Sequence, residues 1–340
     1  MNMKKIFFAV IAAVIVILCL MIVLKMTRTG EGAASSQTSG SDSGTGSAAD
    51  KKSTKAVPMG TDPDRKKLKS SEKDLKIQRL ANELRRLNAG QAMIPQMEGI
   101  VRELCDCGND AVIAMKEILS SDANASVKAA AARVLAQLGT AESVGILVEC
   151  INSESSPVNK DLYIRALQAV DRTEASPALI KGLETSKDIF MNTEMKQALA
   201  RTGNEDTVKQ LVEACHAQKG ANSGKENLLG ALSLIRHPDS LPALSNAAAN
   251  DQDPMVRKNA LRALSNMGNE NSSRALVEML QSGKNDERKS QILDAISSIK
   301  GKESIDYLRG ISDNSNFPED LRKAAARAVF TIKNGVPPAD

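Results

Sequence analysis

Along residues 92–333 a leucine-type position returns at nearly constant spacing: Leu104, Leu135, Leu167, Leu199, Leu232, Leu264, Ile296 and Val329, separated by 31, 32, 32, 33, 32, 32 and 33 residues. Scattered leucines do not keep such a beat, so this stretch reads as an array of one repeated unit. Three residues further on stands a second column, Cys107, Leu138, Val170, Thr202, Ile235, Met267, Ile299 and Ile332. That spacing puts both columns on one face of a helix, termed A. Directly after it comes Gly108, Gly139, Gly203 or Gly268 in four units, where a residue without Cβ can end the helix in the left-handed conformation; Asp171, Arg236, Lys300 and Lys333 stand there in the others. A third column, Leu147, Leu179, Leu211, Leu244, Leu276 and Leu308, recurs every 32 or 33 residues and marks a second helix, B.

Each helix has one apolar face and a short turn joins the two, so A and B are predicted to pack antiparallel and each hairpin to stack on the next. The expected fold is all-α: a solenoid of about eight antiparallel two-helix repeats over residues 91–335, with a disordered tail at 336–340. Ala166, Ala198, Ala231, Ala263, Ala295 and Ala328, just before the first column, predict helix approach at the short end of the usual ~8–10 Å range. Two charged columns accompany the apolar ones. Glu142, Glu174, Asp206, Asp239 and Glu303 open the B helices, where a carboxylate meets unpaired N–H groups. Lys128, Lys160, Lys225, Arg257, Lys289 and Arg322 lie near the start of A, beside the expected carboxyl end of the preceding B helix.

Before the array the pattern changes. Ile6 to Leu24 are 19 uncharged, apolar positions flanked by Lys4 and Lys5 and by Lys25 and Arg28. At ~1.5 Å per residue they reach roughly 28 Å, about the thickness of a hydrocarbon core, so residues 1–28 are expected to form a single-pass membrane anchor spanning 6–24. The amino terminus is expected on the cytoplasmic side and the solenoid outside; cleavage near Ala33 and Ala34, with secretion, is the alternative. Residues 29–70 are rich in Gly, Ser and Thr and are expected to be a disordered linker. From Ser71 to Gly90, Ile77, Leu80, Leu84 and Leu87 predict a capping helix with Lys73, Lys76, Arg79 and Arg86 on its solvated face.

Composition narrows the function. Aromatic residues make up 2% of the chain and Trp is absent. Residues 1–88 carry 16 Lys/Arg against 8 Asp/Glu, and residues 89–340 carry 29 against 33. The positive charge therefore sits away from the folded module, and no nucleic-acid partner is expected. His216 and His237 have no ligand-spaced neighbours, and Cys105 and Cys107 alone do not make a metal site, so Cys107 reads as a core thiol. With no phosphate loop and no nucleophile–base arrangement, no catalytic, cofactor-binding or metal-ligating residues and no small-molecule ligand are expected.

The segments SVKAAAARVLAQLG (126–139), PMVRKNALRALSNMG (254–268) and DLRKAAARAVFTIKNG (320–335) resemble HEAT-like repeats of the short bacterial kind known from phycobilisome lyases. That resemblance implies an α-solenoid whose B helices line the partner-binding side, and it carries little about activity. The outward B-helix positions Glu149, Lys181, Glu213, Asn246 and Glu278 are the candidate partner contacts. The expected function is a membrane-tethered, non-enzymatic scaffold or adaptor for a protein partner. Two alternatives stand beside it: an enzyme or enzyme accessory resembling a chromophore lyase or a HEAT-like DNA glycosylase, and a structural envelope spacer.

Overall fold

The computed structural model describes residues 63–87, 94–220, 222–282 and 288–335. Its first four units contain helices α1 (Pro63–Arg86), α2 (Ile94–Asp106), α3 (Val112–Ser120), α4 (Ala125–Leu138), α5 (Ala141–Ser153), α6 (Pro157–Ala166), α7 (Ser176–Thr185) and α8 (Ile189–Thr202). The chain continues with α9 (Glu205–Ala217), α10 (Ser223–Leu232), α11 (Leu241–Asn250), α12 (Pro254–Met267), α13 (Glu270–Gln281), α14 (Lys289–Ser297), α15 (Ile305–Ser312) and α16 (Glu319–Asn334). Among the described residues there is no β-strand. Every even-numbered helix packs on the next even one, and every odd-numbered helix on the next odd one, α13 reaching the last through the 3-10 turn Lys302–Ser304. The result is two layers, A helices in one and B helices in the other, as the hairpin pattern requires.

The apolar columns are the core. Leu104, Leu135, Leu167, Leu199, Leu232, Leu264 and Ile296 are wholly buried, as are all six leucines of the B column. Val329, on α16, is only partly buried, packed against the edge of the core. Of the alanine column, Ala198, Ala231, Ala263 and Ala328 are wholly inaccessible.

Four features depart from the sequence reading. The first helix begins at Pro63, not Ser71, so the expected linker ends eight residues early; proline suits a first helical turn, and residues 64–86 contain no helix breaker. This helix is also more than a cap: it packs on α2 and α3 with Ile77, Leu80, Leu84 and Leu87 buried, and so takes the place of a first B helix. Three of its basic residues are engaged, Lys73 with Asp110 at 2.5 Å, Lys76 with Glu103 at 3.2 Å and Arg85 with Glu117 at 3.6 Å. Second, Gly108, Gly139 and Gly268 are left-handed as expected, but Gly203 has φ −68°. Glycine is needed there for space, since a Cβ would lie 2.6 Å from Leu199 O and 3.0 Å from Ile235 Cδ1.

Third, the cation column turns mainly to the next A helix. Lys160 pairs with Asp188 at 2.9 Å, Lys225 with Asp253 at 2.7 Å and Lys289 with Asp320 at 2.6 Å, each carboxylate standing at the start of the following A helix. Successive A helices run parallel, so their amino ends are neighbours, and Asp188 and Asp253 each cap a helix as well as pairing across the repeat. Arg257 meets the expected partner, donating to Asp251 O and Gln252 O beyond the end of a B helix.

Fourth, the 32-residue beat is half of the structural period. The A helices α4, α8, α12 and α16 have 14, 14, 14 and 16 residues, while α6, α10 and α14 between them have 10, 10 and 9. After the first three long helices a Gly is followed by Thr140, Asn204 or Asn269, whose side chain accepts from the N–H three residues on and starts the B helix directly. After the short ones Asp171, Arg236 or Lys300 replaces the Gly, and the chain enters B through the 3-10 turns Thr173–Ala175, Pro238–Ser240 and Lys302–Ser304. Buried hydroxyls lock these junctions together: Ser176 Oγ lies 2.9 Å from Thr207 Oγ1, and Ser273 Oγ donates to Ser304 Oγ at 2.8 Å.

The expected membrane span at residues 6–24 and the tail at 336–340 lie outside the described residues. Among those described, no helix is long and apolar enough to cross a membrane.

Candidate partner-binding surface

The five positions singled out as contacts stand two residues after the buried leucine of α5, α7, α9, α11 and α13, and all five are exposed. Since these helices lie side by side, one residue from each forms a row across the B layer. The structure brings two of the five together. Glu213 on α9 and Asn246 on α11 line a groove of about 680 Å³ between their helices. Its floor is apolar, formed by Val208 (1% exposed), Val212, Ala243 and Ala247, and its rim carries Glu205, Lys209, His216 and Asn250. Small side chains on α11, Ala243 and Ala247 together with Pro242, leave the floor low.

Charge on this rim is unevenly satisfied. Lys209 is held by Glu205 at 2.8 Å, whereas Glu213 forms no ion pair among the described residues. At one end His216 Nε2 lies 3.0 Å from Asp251 Oδ1, and Asp251, its side chain only 7% exposed, also accepts from Asp253 N at 2.8 Å. The groove thus offers an available carboxylate and side-chain amides above an apolar strip, a combination that receives an amphipathic segment with a basic residue on its polar side.

Glu149, Lys181 and Glu278 lie elsewhere along the row. Glu149 approaches Lys116 at 3.8 Å. Glu278 stands one turn from Arg274, whose guanidinium lies 4.8 Å from the Tyr307 ring centroid. The floor residues of the groove were not singled out from sequence; Pro242 followed by two small residues at helical spacing is the signal that marks them.

Chemistry elsewhere is that of a core. Burial pushes the Cys105 thiol up to about 11 and the Cys215 thiol up to about 12, and it raises Cys150 as well. Thiols held this far above neutral pH are poor nucleophiles. Cys107 is 4% exposed, in its apolar column. His237 caps the 3-10 turn Pro238–Ser240, its Nδ1 accepting from Asp239 N at 3.3 Å. Among the described residues no group of three or more His, Cys, Asp or Glu side chains is placed to hold a metal ion.

Similarity to known proteins follows the same architecture. Residues 220–297 match the HEAT repeats family, and residues 127–153, which span α4 and α5, match the PBS lyase HEAT-like repeat. No curated protein matches the chain. Among solved structures, human deoxyhypusine hydroxylase in complex with glycerol aligns with 78% of this chain and 99% of its own at 16% identity, with a TM-score of 0.30. A computationally designed self-assembling cyclic homooligomer aligns with 80% of this chain and 97% of its own at 12% identity and a TM-score of 0.17. Those scores are too low for either structure to bear on what this chain does. The two family matches fall on hairpins that the apolar columns already define, and the chain is a HEAT-like repeat protein.

Proposed function

We propose that this protein is a membrane-tethered, non-enzymatic scaffold that docks a protein partner on its B-helix face, centred on the groove between α9 and α11. One observation carries the reading: Glu213 and Asn246, positions that packing does not dictate, flank a groove with an apolar floor. An idle solvated face has no reason to keep a recessed apolar strip between polar rims. HEAT repeats supply extended surfaces for protein partners, in keeping with this role. The tether rests on the uninterrupted apolar run at residues 6–24.

Two observations weigh against an enzyme that extracts a base. Tyr163 is 1% exposed, and the Tyr307 ring already carries Arg274, so neither tyrosine offers a free stacking face. The test is photo-crosslinking from a reactive amino acid placed at position 246 in intact cells, followed by mass spectrometry of the membrane fraction. One dominant partner, lost in the Glu213→Lys variant, supports the scaffold. A diffuse set of neighbours unaffected by that variant sinks it in favour of a spacer, and recovery of the chain in the soluble fraction sinks the tether.

A further inference from the structure

We infer that the solenoid carries a second docking surface, on the opposite layer near its carboxyl end, that receives an acidic polypeptide segment. The surface is a cleft of about 760 Å³ lined by α12, α14 and α16 and by the turn after α14. Its origin is the alternation of helix lengths: α14 stops at Ser297 after nine residues, while α12 and α16 on either side run 14 and 16, which leaves a recess past the end of the shorter helix.

Among the described residues, four cations line this recess, Lys258, Arg262, Lys300 and Arg327, against one carboxylate, Asp294. All four are exposed. Earlier in the A layer Arg133 is neutralised by Glu98 at 2.7 Å and Arg165 by Asp161 at 2.9 Å. Lys258, Arg262 and Lys300 form no ion pair among the described residues. Lys258, Arg262 and Lys300, gathered inside a concave site without an ion pair among the described residues, in an array that carries more acidic than basic residues overall, create a local positive field that an acidic ligand would satisfy. Apart from Leu261 and Ala295, the rest of the lining is hydroxyl and amide groups with no aromatic ring, so an extended peptide backbone finds hydrogen-bond partners while a nucleobase finds no stacking platform. An acidic polypeptide segment fits this chemistry better than a nucleic acid.

The probe is a short fluorescein-labelled peptide of alternating Glu and Ser, titrated with the full chain in detergent micelles and read by fluorescence anisotropy. Binding is expected at low salt and should weaken as ionic strength rises. The Lys258→Glu/Arg262→Glu double variant should weaken it at least about tenfold, and Lys300→Glu should weaken it separately. Glu213→Lys, in the groove on the other layer, should leave it unchanged, which keeps this inference separable from the proposed partner site. Circular dichroism on each variant confirms that the helices are retained. Absence of peptide binding, full affinity in the correctly folded variants, or tighter binding of a single-stranded oligothymidylate that displaces the peptide would each overturn the inference.

Discussion

Two glycines nine residues apart, Gly301 and Gly310, should respond to alanine with opposite signs. Gly301 has φ −79° and ψ 128°, ordinary values for any L-residue, so by backbone conformation alone alanine would be accepted and would stabilise by ~0.4–1 kcal/mol through the unfolded chain. Packing forbids it. A methyl group on Gly301 would point into the Gly268 carbonyl, with Gly268 Cα only 2.7 Å away, and both neighbours are backbone, unable to rotate aside. Overpacking of this kind costs ~1–3 kcal/mol. Forcing the two backbone segments apart also stretches the buried bond from Ser304 Oγ to Gly268 O, now 2.6 Å, worth about 1 kcal/mol. Gly301→Ala should therefore destabilise by about 2–3 kcal/mol. Gly310 lies inside α15, and a methyl group there would meet nothing within 4 Å, so Gly310→Ala should stabilise by ~0.5–1 kcal/mol. Urea unfolding of the two variants side by side, followed by far-ultraviolet circular dichroism, reads the difference. Because a repeat is coupled only to its neighbours, amide exchange in α15 and α16 should accelerate first in Gly301→Ala. If Gly301→Ala matches the parent, or Gly310→Ala is the weaker variant, the junction between these units is not as tight as the geometry requires.

Ala263, wholly buried among the A helices, should lose ~1–3 kcal/mol as leucine, and an unchanged melting temperature would show that the helix register is wrong. Asp253 both caps α12, accepting from Met255 N at 2.8 Å, and pairs with Lys225 at 2.7 Å, so Asp253→Ala should cost about 2 kcal/mol and Asp253→Asn, which keeps the cap, about half of that; equal losses in thermal melts would contradict the assignment. Lys225 holds Asp253, and Lys289 holds Asp320, below the usual carboxylate range. A carboxyl lowered on folding stabilises above its unfolded value of ~4 and stops doing so as pH falls through the folded one, so the melting temperature should drop below about pH 4, and less steeply in Asp253→Asn. Ser304→Ala removes the hydroxyl that Ser273 donates to, and chemical denaturation should register a loss of ~1–3 kcal/mol.

Much of this molecule was legible in its sequence because the relevant information is local. Which face a residue occupies on a helix depends only on its position in a 3.6-residue turn, so the leucine columns, the stripe on α1 and the outward placement of Glu149, Lys181, Glu213, Asn246 and Glu278 could be read from the chain alone. Even the two-unit period is written there, as Gly139, Gly203 and Gly268 alternating with Asp171, Arg236 and Lys300, although the regular leucine beat conceals it.

What the tertiary structure alone decided are distances between residues about one repeat apart. Lys225 meets Asp253 at the start of an A helix rather than the carboxyl end of a B helix, Gly301 presses on Gly268, and Ser176 reaches Thr207, because stacking sets how closely neighbouring hairpins approach. The same holds for both surface recesses. Apolar periodicity says which side chains are outside, but the depth of the α9–α11 groove follows from small residues on α11 where it faces α9, and the basic cleft from a helix that ends early between two longer ones. Sequence determined the units and their faces, whereas packing between units determined the sites, since a cavity belongs to no single helix.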